Sequence, residues 1–73
     1  MVAAVKEFVE GVAVTEPIVV LRVPPGAANL VAGKVDVAGI EGVLGTVAGN
    51  DTVFVAVDES VGAVVVAAEI EGV

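Results

Sequence analysis

The sequence predicts an α+β fold, a two-layer sandwich in which an antiparallel four-stranded sheet carries two helices on one face in the order β-β-α-β-β-α. Three observations predict it. Short β-branched runs, Ile18 to Val23, Val43 to Ala48 and Thr52 to Val57, are bounded by Pro, Gly, Asn or Asp. Apolar residues change to a spacing of three or four after Pro25 and again after Ser60. The 73 residues make one domain, 1–73, with no internal repeat or linker.

Met1 to Lys6 carries no firm signal. Glu7 to Thr15 reads as a strand, with Phe8, Glu10, Val12 and Val14 on one face and Val9, Gly11 and Ala13 on the other. Thr15-Glu16-Pro17 is a turn, because Pro17 removes a donor and restricts φ. Ile18 to Val23 completes an antiparallel hairpin, and Pro24-Pro25-Gly26 ends it. Proline suits the first position of a helix, so a helix is expected from near Pro25, with Ala27, Leu30, Val31 and Val35 spaced along it. Gly39 is its expected stop. Gly33, inside it, costs about 1 kcal/mol relative to Ala, which implies either close packing or a loose helix.

Two more strands follow, Val43 to Ala48 and Thr52 to Val57. The Gly49-Asn50 pair between them signals a two-residue hairpin turn, since both residue types tolerate positive φ. Asp58 or Ser60 is the expected cap of a final helix, with Val61, Val64, Val65 and Ala68 as its stripe. The run Val64-Val65-Val66 opposes helix formation, while Glu59 near its start and Gly72 near its end favour it.

Composition narrows the function. With no Cys and no His, disulfides, thiolate sites and His-ligated metals are excluded, and no metal or cofactor is expected. So short a chain buries only about 60% of its unfolded surface on folding alone. Yet 58% of its residues are hydrophobic and the mean hydropathy is +1.05. Without a disulfide or a metal the remaining staple is self-association, with the surplus apolar surface as the interface. No stretch approaches the roughly 20 apolar residues of a membrane span, and no basic leader opens the chain, so a cytoplasmic location is expected. The net charge is −7, with Lys6, Arg22 and Lys34 the only cations, which argues against nucleic-acid binding by this domain and favours a cationic ligand. Cys, His, Gln, Trp and Tyr are all absent, and so narrow an alphabet reads as a simplified or reconstructed sequence.

Catalysis finds little to work with. Ser60 and the threonines have no base nearby in sequence, and Asp58-Glu59 and Glu69/Glu71 read as solvated helix ends. Neither GxGxxG nor GxxxxGK[ST] occurs. No enzyme is expected. Three polar spots stand out instead. Asn29 and Asp36, seven residues apart, share one helix face, and Asp36 opposes the helix dipole near the C-terminus; it is either a ligand contact or a harmless exposed acid. Asn50-Asp51 on the hairpin tip is either turn chemistry or a carboxylate displayed to a guanidinium. Pro24 to Ala28 is a small-residue helix start whose free N–H groups suit a carboxylate, or an ordinary capped helix.

The stretch Val23 to Phe54, VPPGAANLVAGKVDVAGIEGVLGTVAGNDTVF, resembles the C-terminal domain of bacterial arginine repressors. PPGAA at the helix start and GTVAGNDTVF, similar to that family's GTIAGDDTI hairpin, carry the likeness at the right separation, and IVVLRV precedes them in the right place. The resemblance implies the same element order, assembly into trimers that stack in pairs as hexamers, and L-arginine bound between the trimers. Attached winged helix-turn-helix domains grip the operator in that family, and nothing here corresponds to them; the expectation is a domain that senses and assembles without binding DNA itself. The resemblance implies that Asn29 and Asp36 contact the ligand from the helix. Asn50 and Asp51 take the place of the paired aspartates that face its guanidinium and amine, and Thr46 and Ala48 line the pocket from the strand. Asn50 departs from the family's first aspartate, which implies weaker arginine binding, because a charge-assisted hydrogen bond is roughly twice as strong as a neutral one. The alternative is a structural oligomerisation module, simplified in sequence, that has lost or weakened its ligand.

Overall fold

A computed structural model describes residues 7–72. The elements are β1 (Gly11–Thr15), β2 (Ile18–Arg22), α1 (Ala28–Ala38), β3 (Val43–Ala48), β4 (Thr52–Val57) and α2 (Ala63–Gly72), which is the expected order. The Met1 to Lys6 lead lies outside the described residues. The strands form one sheet in the order β1-β2-β4-β3, antiparallel throughout.

Alternation along the strands divides the sheet into two faces. Val19 and Leu21 of β2 and Val53, Val55 and Val57 of β4 point to the helices and are buried. From α1 come Ala28, Val31, Ala32 and Val35, and from α2 come Ala63, Val66, Ala67 and Ile70, all in the same core cluster. Helix α1 lies over β3 and β4, and α2 over β1 and β2. Among the described residues no polar side chain is buried, so the interior is wholly apolar.

The other face carries no helix. Ala13 pairs with Val20, Val20 with Phe54, and Phe54 with Val47, so one apolar row crosses all four strands. Phe54 is 50% exposed and Val47 71% exposed. A β-bulge between Val43 and Gly45 leaves Leu44 without a partner and mostly exposed.

Four local expectations are corrected. The first strand begins at Gly11 rather than Glu7, and Glu7 and Phe8 are helical. The ladder can run no further because Glu10 N–H already bonds the Arg22 carbonyl, and beyond Arg22 the next N–H, of Val23, is given to Asp51, after which Pro24 has none. Helix α1 begins at Ala28, with Ala27 as N-cap, instead of near Pro25, and its inward residues include Ala28 and Ala32 while Leu30 is exposed. Gly39, at φ 65°, does end it as expected.

The stripe assigned to the last helix is the wrong one: Val64, Val65 and Ala68 are exposed, and Ala63, Val66, Ala67 and Ile70 are inside. Helix α2 is apolar nearly all round, so spacing alone does not single out its buried face; Ile70, the largest residue of the set, marks the true one. Its cap is neither Asp58 nor Ser60. Asp58 Oδ1 accepts the Ser60 N–H at 2.9 Å and its hydroxyl at 2.8 Å, which shapes the preceding turn. The carboxylate that reaches the helix start is Glu16, which accepts the Ala63 N–H.

Candidate functional site

The expected ligand residues lie on α1 (Asn29, Asp36), on β3 (Thr46, Ala48) and on the tip of the β3–β4 hairpin (Asn50, Asp51). Thr46 pairs with Val55 and Ala48 with Val53, which turns both towards the helix layer, under α1. From there the Thr46 hydroxyl meets Asp36, in the last turn of α1, and donates to the two carboxylate oxygens at 3.0 Å each. An acid that opposes the helix dipole is thereby held across to the sheet edge, in an exposed position. Asn29, the second residue of α1, is exposed as Asp36 is, on the side turned away from Ala28, Val31 and Val35. Ala48 is half-buried against the core.

Asn50 and Asp51 form the tip of the β3–β4 hairpin, and their backbone holds the start of α1. The Asn50 carbonyl accepts the Gly26 N–H at 2.9 Å, and the Asp51 carbonyl accepts the Val23 N–H at 2.9 Å. Gly26 has φ 89°, a conformation that residues with a Cβ rarely adopt, so glycine is what lets the loop offer its N–H there. The PPGAA and GNDT motifs, separate in sequence, are thus one structural unit. The Gly49-Asn50 turn expected from sequence is not of the positive-φ kind: among the described residues only Gly26, Gly39, Gly42 and Gly62 have positive φ. Gly49 N–H closes the hairpin onto the Thr52 carbonyl at 2.7 Å, and the tip's conformation follows its docking on the proline loop.

The Asp51 side chain is engaged at both oxygens. Thr52 Oγ1 donates to Oδ1 at 3.0 Å, and Arg22 Nη2 lies 3.4 Å from Oδ2. Arg22 and Thr52 are contacts that local reading missed. Thr52 is the chain neighbour of Asp51, whereas the Arg22 contact depends on β2 pairing with β4, where Arg22 stands opposite Thr52, a register between segments 30 residues apart that no short motif encodes. A shallow depression of about 200 Å³ beside the tip is lined by Val47, Ala48, Gly49, Thr52 and Phe54. Asp36 with Thr46, on the helix side of β3, and Asp51 with Thr52, at the hairpin tip, are therefore two hydroxyl-braced carboxylates open to solvent. Each keeps acceptor capacity for the N–H groups of a cationic ligand. Among the described residues no group of three or more acidic side chains could hold a metal ion.

Comparison with known proteins identifies the family of the chain. Residues 5–72 match the model of the family described as arginine repressor, C-terminal domain. The chain belongs to that family. It is 46% identical over 54 residues to the arginine repressor of Anaeromyxobacter sp. (strain Fw109-5), covering 74% of this chain and 34% of the relative. To the arginine repressor of Bifidobacterium adolescentis it is 51% identical over 52 residues, 71% of this chain and 30% of the relative. To that of Desulforudis audaxviator it is 46% identical over 57 residues, 78% of this chain and 38% of the relative. The chain thus spans about a third of the length of the curated relatives it matches. The family is one of transcription regulators rather than enzymes. Among the described residues no helix is long and apolar enough to cross a membrane.

Proposed function

We propose that this domain binds L-arginine and assembles with copies of itself, as trimers that pair into hexamers, serving as the effector-sensing core of a cytoplasmic arginine-responsive repressor. The observation that supports the ligand part is a pair of solvent-open carboxylates, Asp36 and Asp51, each braced by a threonine hydroxyl. A guanidinium presents a planar fork of N–H donors that suits such carboxylates. The start of α1 has no side-chain cap, which leaves its N–H groups available to the ligand's carboxylate. Asn29 lies in the first turn beside them.

Assembly and ligand binding support one another physically. On an open edge, carboxylate–guanidinium pairs contribute little, because water screens them. A second copy closing over the edge would exclude that water and strengthen each pair. The row Ala13-Val20-Phe54-Val47 is the surface such a small domain has reason to cover.

Solution mass, measured by light scattering with and without millimolar L-arginine, tests both parts. An oligomer that grows or tightens with arginine, together with a calorimetric signal, is expected. A monomer indifferent to arginine would remove the proposal. Phe54→Lys, which puts a charge in the middle of the apolar row, should lower the mass of the ligand-free oligomer.

A second reading keeps the assembly and drops the ligand. It is favoured by Asn50, which brings no charge where the resembling family has an aspartate, and by the Arg22 guanidinium already at Asp51. In that case the mass stays oligomeric and titration with arginine gives no heat.

A further inference from the structure

Helix α2 is apolar on two sides. Ala63, Val66, Ala67 and Ile70 pack into the core, whereas Val64 and Val65, 69% and 52% exposed, and Ala68 form a second stripe turned away from it. Val61, in the turn before the helix, continues this stripe, so that its members stand at i, i+3, i+4 and i+7. A helix that is apolar all round is ordinarily covered all round, and the outward stripe is a face without its partner. It is separate from the apolar row Ala13-Val20-Phe54-Val47, which lies on the helix-free face of the sheet.

On one flank the stripe borders a groove of about 510 Å³. Gly39, Ile40 and Glu41, after α1, form one wall, and Val61, Val65 and Glu69 form the other. Charge around it is of one sign. Glu41 and Glu69 stand on the two walls, and Glu71 lies two turns on from Val64, on the far flank of the stripe. Helix α1 ends at the groove, where its dipole is negative and its last turn holds no basic residue. Among the described residues these acids have no cationic partner, the one ion pair being that of Arg22 with Asp51.

We propose that the outward stripe of α2 and the groove beside it are a docking surface for a basic amphipathic helix of a partner protein. The partner's aliphatic residues cover Val61, Val64, Val65 and Ala68, and its lysines or arginines meet Glu41, Glu69 and Glu71. Charge decides the occupant. A second copy brings a net charge of −7 and only the cations Lys6, Arg22 and Lys34, so its approach to an acidic rim is opposed. A basic helix is drawn to the same rim, and its long side chains lay their methylenes along the apolar stripe.

The test uses a synthetic helical peptide with leucines at i, i+3, i+4 and i+7 and lysines on its other faces, followed by fluorescence anisotropy. One control peptide carries glutamate in place of lysine, and another has the same residues in scrambled order. The leucine–lysine peptide is expected to bind the parent, more tightly at low salt, and both controls to bind about tenfold more weakly or not at all. Val65→Lys should weaken binding about tenfold. Leu30→Lys, the same change on the exposed side of α1, should leave it nearly unchanged. Glu69→Gln should cost about two- to fivefold at low salt, and as an exposed, conservative change it keeps the test alive if Val65→Lys fails to fold. No binding by the parent, equal binding of either control peptide, an equal loss from Leu30→Lys, or unchanged binding by Glu69→Gln overturns the proposal. So does a fall in the solution mass of Val65→Lys without peptide, which would make the stripe a contact between copies of this chain.

Discussion

The Glu16 carboxylate, on the turn between β1 and β2, accepts the N–H of Ala63 at 2.8 and 3.1 Å, 47 residues later in the chain. It stabilises the first residue of α2 and ties that helix to the hairpin it covers. A helix N-terminus leaves backbone donors unsatisfied, and an anionic acceptor there also meets the favourable end of the helix dipole. Glu16→Ala should therefore lower unfolding stability by about 1 kcal/mol, the usual cost of losing a cap. Glu16→Gln, which keeps an acceptor and removes the charge, should lose less. Urea denaturation of the two variants checks the order; equal stability of all three proteins would show that the contact is idle.

Two glycines should respond to alanine in opposite directions. Gly42 has φ 92°, and a Cβ there would lie 2.8 Å from Cβ and one Cγ of Val61. Backbone strain and overlap both oppose substitution, so Gly42→Ala should cost about 1–3 kcal/mol. Gly33 lies inside α1, and a Cβ added there would meet nothing within 4 Å. Within one copy of the chain no close packing requires glycine there, and Gly33→Ala should gain up to about 1 kcal/mol. Thermal unfolding of the pair separates the two cases.

Much of the fold was legible because its signals are local. The β-branched runs bounded by turn residues located β2, β3 and β4, and Gly39 marked the end of α1. What escaped depended on distant partners. The start of β1 is set by Val23 giving its N–H to Asp51, and the cap of α2 is set by Glu16 in another hairpin. In α2 the apolar residues run nearly all round, so periodicity carried no direction. The site divides in the same way. The seven-residue spacing of Asn29 and Asp36 placed both on the exposed side of α1, whereas Arg22 beside Asp51 follows only from the β2–β4 register.

Acid should loosen the turn before α2. The Asp58 carboxyl sits below its ordinary value of 3.8, because the Ser60 N–H and then the Ser60 hydroxyl donate to its charged form. A lowered folded-state value means that the contribution is fully present above 3.8 and is lost as pH falls from there through the folded value. The stability gap between the parent and Asp58→Ala should accordingly be constant at neutral pH and narrow below 3.8. Denaturation at pH 6 and at pH 2.5 measures it. A gap that widens in acid would contradict the assignment.

Asp36 and Thr46 should separate binding from stability. Both take part in one exposed hydrogen bond, so Asp36→Asn should change unfolding stability by no more than about 0.5 kcal/mol. If the carboxylate receives a cationic group of L-arginine, the same change removes a charge-assisted bond and should weaken binding about tenfold or more. Thr46→Val keeps the acid and frees its rotamer, and a smaller loss of a few-fold is expected. Calorimetry on the two variants gives the ranking, and Asp36→Asn binding as tightly as the parent would remove Asp36 from the ligand site.

Asn50→Asp offers the sharpest separation of the two readings of this domain. The tip holds its shape through the Asn50 carbonyl, which accepts the Gly26 N–H, so changing the side chain leaves that backbone bond intact. No positive φ has to be accommodated at this position. The new carboxylate would stand next to Asp51, and two adjacent anions in the free protein repel; a guanidinium between them relieves the repulsion as it binds. Affinity for L-arginine should rise about tenfold, about 1.4 kcal/mol, with the largest gain at low salt because the added attraction is electrostatic. The oligomer's mass without ligand should stay unchanged, since the apolar row Ala13-Val20-Phe54-Val47 is untouched. If Asn50→Asp leaves an oligomer that still takes up no arginine, the tip is a turn and nothing more, and the domain is an assembly module.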